Sequence, residues 1–241
     1  MFLLFLPGVY FALMILMAVL PALLLMRFVY RLDSYEKESP RLLLRLILLG
    51  VLAGFLSMIL ESVGMKLLSL TSVDPQSPRY IILMAFLVVA LVEEGMKYLL
   101  MHIKVWKSPE FDFRFDGIVY AVFASLGFAA MENIMYVLGY GMQVVFARAL
   151  MAIPAHMSFA VVFGVFYGRA RQLANAGHML TARLYILAGF ALAVFFHGFY
   201  DTCAMLANPI SLLLLALFMV VIYVTIFMLV KSEARTDRPI I

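Results

Sequence analysis

The sequence predicts an all-α, polytopic membrane helix bundle of about seven transmembrane helices. Three observations carry that reading. Of 241 residues, 66% belong to the apolar set and only 13% are charged, with a mean hydropathy of +1.06; soluble domains run at about 45–50% apolar and about 25% charged. The apolar residues fall in runs long enough, at roughly 1.5 Å rise per residue, to cross a hydrocarbon core of roughly 30 Å. The basic residues alternate between loops. Together these exclude a disordered chain, a coiled coil and an ordinary cytosolic enzyme. A formal net charge of +4 is too small an excess for a nucleic-acid reader, so no nucleic-acid partner is expected. The single cysteine, Cys203, leaves no internal disulfide framework and no cysteine-based zinc site.

The first 26 residues carry no charge, and Arg27 and Arg31 follow rather than precede them. That order is wrong for a signal peptide, so the segment reads as a retained first span. Further spans are expected at about 42–60, 80–102, 117–138, 143–168, 184–206 and 210–230. Asn208-Pro209 is the only punctuation between the last two. Fourteen basic residues sit in the loops after spans one, three and five and in the tail. The alternate loops hold only Lys66 and Arg79. The positive-inside rule then places the C-terminus in the cytoplasm and the N-terminus outside. No repeat or long linker divides the chain, which reads as one domain over 1–241, with the candidate functional core, taken below as catalytic, at about 79–206.

An ionisable side chain near the centre of a membrane helix costs about 2.5–3.5 kcal/mol on insertion scales. Glu93, Glu94, Lys97, Glu132, Asn133, Arg148, His156, His197 and Asp201 all fall within spans three to six, whereas spans one, two and seven have almost no such groups. Glu93, His156 and His197 each lie roughly 20 Å along their spans, near the midplane. Glu93 and Glu94 point about 100° apart, so one can face a reacting centre while the other supports it from the side. Lys97 is within reach of both, and two carboxylates against one ammonium leave one carboxylate over. Such a group suits general acid or base work. Asp201, one turn past His197, can orient its ring. Pro154 can kink the fifth span beside His156. Glu132 and Arg148 flank the short loop Gly139–Gly141 at nearly equal depth and should pair across a tight hairpin. Glu132 could instead face the site.

These residues, in this order, resemble the PrsW family of intramembrane proteases, within the wider group of CAAX-processing and bacteriocin-processing membrane proteases. The first motif matches Glu93-Glu94-Gly95-Met96-Lys97. The second matches Phe128-Ala129-Ala130-Met131-Glu132, with Asn133 following. A histidine in the next span matches His156, and a histidine four before an aspartate matches His197-Gly198-Phe199-Tyr200-Asp201. The resemblance covers about residues 79–203. It implies a multi-pass protease of the bacterial cytoplasmic membrane that makes the first cut in a single-span anti-sigma factor, with the lipid bilayer as its other partner.

Hydrolysis needs an activated water, an oxyanion site and a proton donor for the leaving amine. No serine or cysteine has a base placed beside it, so water is the expected nucleophile. Glu93 or Glu94 would take its proton, and His156 and His197 would stabilise the oxyanion or share the proton. Lys97, Phe128, Glu132, Asn133, Arg148 and Asp201 are the expected supporting residues. This reading requires no cofactor. Zinc held by His156, His197 and Glu94 is the alternative, although the helical His-Glu-x-x-His signature is absent. A proton-coupled transporter is the alternative of another class, since buried acids, bases and histidines also build proton relays.

Overall fold

Three helices begin with the same two-residue device, a side-chain cap followed by proline. Ser39, Ser77 and Asn208 accept hydrogen bonds from the backbone N–H of Leu42, Tyr80 and Ser211. Pro40, Pro78 and Pro209 then occupy the first helical position, where no N–H is needed. Asn208 and Ser211 form a reciprocal capping box, and Ala207 just before it adopts a left-handed φ of 47°. The weakest punctuation in the sequence is thus a sharp helix boundary.

The computed structural model describes residues 2–240, with side chains for residues 8–240. The helices are α1 (Phe2–Leu32), α2 (Pro40–Ser69), α3 (Pro78–Leu83), a π segment (Met84–Ala90), α4 (Leu91–Val105), α5 (Asp116–Tyr140), α6 (Val145–Leu150), α7 (Ala152–Asn175), α8 (Met179–Leu206) and α9 (Pro209–Arg235). No strand occurs among the described residues beyond an isolated bridge between Phe113 and Pro239. Six helical stretches are long and apolar enough to cross a membrane. They cover six of the seven predicted spans. The remaining one, predicted at 80–102, is the contiguous run of α3, the π segment and α4, which carries Glu93, Glu94 and Lys97.

The surface, rather than the core, departs from that of a soluble protein. Leucine, isoleucine and valine stay exposed on α1, α2, α8 and α9, on faces that lipid covers. The buried centre is α5, in which every residue from Asp116 to Met131 is enclosed. Small residues make this possible. A Cβ added to Gly164 on α7 would lie 2.5 Å from Ile118 Cα and 2.7 Å from Gly117 O, so only glycine allows this crossing of α5 and α7. On α8 a Cβ at Gly198 would lie 2.5 Å from Phe86 Cδ1, which lets α8 close onto the π segment beside His197.

The fifth span is broken at Met151 (φ −114°, ψ −65°), three residues before Pro154, which falls in the first turn of α7. Proline withholds the hydrogen bond to the carbonyl four residues back. That carbonyl, Leu150 O, lies 3.1 Å from the Tyr223 hydroxyl of α9, which is also 2.9 Å from Met151 O. The freed carbonyl therefore anchors α9, while Ala152, Ala155 and His156 beside the proline line a polar cavity.

Candidate active site

The π segment ends three residues before Glu93, and a π turn widens a helix where functional groups often follow. Glu93, Glu94 and Lys97 then occupy the first two turns of α4, all buried. Their roles in the packing differ. Glu94 Oε1 receives Lys97 Nζ at 2.5 Å and His197 Nδ1 at 2.6 Å. Glu93 Oε2 is 3.8 Å from both Lys97 Nζ and His197 Nε2, and it has no hydrogen-bond partner among the described residues.

Lys97 links α4 to α7. Its ammonium lies 3.3 Å from His156 Nδ1 and 4.5 Å above the Phe128 ring centroid. An ammonium has donors and no lone pair, so His156 Nδ1 must accept. Nε2 then carries the proton and donates to Glu132 Oε2 at 3.1 Å. Glu132 also meets Arg148 at 2.7 Å, the pair expected across the hairpin. Arg148 Nε donates to Asn133 Oδ1 at 2.9 Å, and Asn133 Nδ2 donates to Ala18 O of α1 at 2.7 Å. His197 Nε2 is 3.3 Å from Asp201 Oδ2, and its ring stacks on Phe159 at 5.2 Å. The two histidine rings stand edge to face, with centroids 5.2 Å apart.

The nine polar residues singled out in the sequence therefore join one connected cluster, with the Phe128 ring packed under the Lys97 ammonium. They do not all face the same space. A cavity of about 250 Å³ is lined by Glu93, Phe128, Glu132, Arg148, His156, His197 and Asp201, but by neither Glu94, Lys97 nor Asn133. Its outer wall is Tyr136 and Met135 near the end of α5, Met205 near the end of α8, and Met58 and Glu61 of α2. It thus opens toward the end of the bundle opposite the basic loops. Glu61, Tyr136 and Tyr200 are cavity residues that the sequence reading passed over. A lone acid more than twenty residues into an apolar helix was the available signal for Glu61, but the second span was drawn to end at residue 60. The expectation that span two contributes almost no polar group is corrected accordingly.

One donor atom from each of Glu93, Glu94, His156 and His197 lies within 4.8 Å of the others. Two imidazoles and two carboxylates are a donor set that zinc accepts. Glu94 Oε1 and His156 Nδ1 receive the Lys97 ammonium, so a divalent ion bound at those two atoms would have to move that side chain aside.

A cavity inside a membrane helix bundle, walled by carboxylates and imidazoles, with Glu93 Oε2 and Asp201 Oδ2 lacking hydrogen-bond partners among the described residues, defines a multi-pass membrane protein with acid/base groups at its centre. Residues 38–230 match the family described as PrsW family intramembrane metalloprotease, and the chain belongs to that family. It is similar to the Protease PrsW of Geobacillus kaustophilus, at 34% identity over 92% of each chain. It is similar also to that of Bacillus subtilis, at 33% over 75% of this chain and 78% of the relative. The Protease PrsW of Clostridioides difficile is 28% identical over 86% of each chain. No solved structure matches. The protein is thus a multi-pass protease of the bacterial cell membrane, and the carrier reading is set aside.

Proposed function

We propose that the protein is an endopeptidase that cuts a single-span membrane protein, of the anti-sigma-factor kind that the family resemblance implies, using water activated by Glu93. The observation that supports this assignment is the placement of Glu93 in the cavity wall with Oε2 unpartnered, while Glu94 turns away into Lys97 and His197. In this reading the basic end faces the cytoplasm and the cavity opens in the outer half of the membrane.

Glu93 takes a proton from water as the water oxygen bonds to the scissile carbonyl carbon. The carbonyl π electrons move onto oxygen, and the oxyanion is met by His156 and His197. Asp201 orients His197. Glu93 then returns the proton to the amide nitrogen as the C–N bond breaks. Lys97, Glu94, Glu132 and Arg148 hold the imidazoles in place and neutralise the buried charge around them.

A zinc-dependent version is supported by the four converging donor atoms and by the family's description. His156, His197 and Glu94 would hold the ion, which would polarise the water and the carbonyl. Glu93 would remain the base. Metal analysis of protein purified without chelator, beside activity with and without chelator, separates the two.

The test of the whole reading is cleavage of a single-span reporter in proteoliposomes by the wild type, Glu93→Gln, Glu94→Gln and His197→Ala. Product from the wild type and none from folded Glu93→Gln is expected. A folded, fully active Glu93→Gln protein overturns the assignment of the base.

A further inference from the structure

A second polar concavity lies at the basic end of the bundle, away from the catalytic cavity. It is an open pocket of about 430 Å³ where four segments meet. Arg114 comes from the loop before α5, Arg169 and Gln172 from the end of α7, and Tyr185 from the second turn of α8. Glu233 and Arg238 come from the end of α9 and the residues after it.

Glu233 organises the pocket. Its Oε2 accepts from Arg114 at 2.9 Å and its Oε1 from Arg169 at 3.1 Å. One carboxylate thereby directs two guanidiniums toward one space. Arg238 adds a third, whose side chain enters no ion pair among the described residues. The wall carries three positive charges against one negative. Arg114 Nε is buried with no acceptor, and buried donors are ordinarily satisfied. Orienting the chain in a membrane requires basic residues near this end. It does not require three of them around one pocket, fixed by a shared carboxylate.

The pocket also lies at the right level for a lipid. Glu233 is in the last turn of α9 and Tyr185 in the second turn of α8, the headgroup depth of spanning helices. On the same two helices Leu184, Leu187 and Met228 are exposed, which is surface for acyl chains.

We propose that this pocket binds the phosphodiester of an anionic phospholipid headgroup, with Arg169 and Arg238 as its main ligands and Glu233 setting the arginine geometry. A phosphodiester has one negative charge and two non-bridging oxygens, which the planar guanidinium fork matches. A zwitterionic headgroup carries an added ammonium that the net positive wall repels. Basic pockets between helices at the cytoplasmic side are a recognised site for such lipids.

The experiment uses the full chain in detergent, read by native mass spectrometry with phosphatidylglycerol, phosphatidylcholine or inorganic phosphate added. The proteins are the wild type, an Arg169→Gln/Arg238→Gln double variant and an Arg169→Lys/Arg238→Lys double variant. Both arginines are exposed, so the variants should fold, and monodispersity with an unchanged melting temperature checks this. The wild type should retain one phosphatidylglycerol in preference to phosphatidylcholine. The glutamine variant should bind that lipid about tenfold or more weakly, and the lysine variant should fall between. Equal retention of the two lipids by the wild type, or undiminished phosphatidylglycerol binding by the glutamine variant, overturns the proposal. Variant-sensitive binding of inorganic phosphate without the lipid preference also overturns it, in favour of a soluble anion.

Discussion

Lys97 Nζ and His156 Nδ1 face each other at 3.3 Å across the contact between α4 and α7, and the ammonium dictates which imidazole nitrogen holds the proton. The first motif and the lone histidine are therefore one device. Lys97 compensates Glu94, and it also commits His156 to present its Nε2–H to Glu132 and the cavity.

Replacing Lys97 with methionine should leave Glu94 as an uncompensated buried charge. Removing one partner of a buried pair costs about 3–5 kcal/mol. The melting temperature in detergent should fall sharply and cleavage should cease. Adding Glu94→Gln to Lys97→Met should recover much of the stability and none of the activity. If the double variant is no more stable than Lys97→Met alone, an uncompensated charge on Glu94 is not what destabilises Lys97→Met.

The two glutamates should separate by stability rather than by activity alone. Glu93 Oε2 has no hydrogen-bond partner, so Glu93→Gln should leave the melting temperature near or above that of the wild type while lowering turnover about 10²–10⁴-fold. Glu94→Gln weakens contacts to both Lys97 and His197 and should lower both quantities. Thermal unfolding of the two variants side by side, under one detergent condition, is the check.

The crossing of α5 and α7 makes a third case. At Gly164 a Cβ meets backbone atoms of Gly117 and Ile118 that cannot move aside as a flexible side chain could. Gly164→Ala should cost about 1–3 kcal/mol, as overpacking does. It should also lower activity, because α7 carries His156 to Lys97. Gly139→Ala, with nothing within 4 Å of the added carbon, is the matched control and should behave as the wild type.

The spans and the polar cluster were legible because charges are rare in this chain and each one inside an apolar run stands out. The pairs Glu132–Arg148 and His197–Asp201 were legible because a hairpin and a helical turn fix them locally. Lys97 with His156 and Glu94 with His197 were not. They depend on how three helices are rotated, and helices apolar on every side show no face in their sequence pattern. Glu61 was lost to a span boundary drawn one residue short. The break before Pro154 was legible, but its exact place at Met151 and the capture of the freed carbonyl by Tyr223 were not. The docking of the tail onto the loop before α5, through Phe115 N to Asp237 Oδ1 at 2.9 Å, joins residues 122 positions apart and has no local signature.

Glu38, in the short connection before α2, supplies a prediction about pH. Its Oε1 accepts from the Tyr120 hydroxyl at 2.8 Å, while Oε2 is buried with no partner among the described residues. Burial pushes its carboxyl up from 4.5 to about 7, and the neighbouring Asp33 rises for the same reason to about 6. A carboxyl whose value is raised by folding supports the folded state fully below its unfolded value. Between about 4.5 and 7 the unfolded chain gives up the proton and the folded chain keeps it, so stability falls across that window. Above it the penalty is complete. The wild type should therefore melt at a higher temperature at pH 5 than at pH 8. Glu38→Gln, which cannot titrate, should show a smaller difference between the two, with Asp33 accounting for part of what is left. Equal pH dependence in the wild type and the variant would show that Glu38 is ionised in the folded protein throughout, with a compensating cation close by.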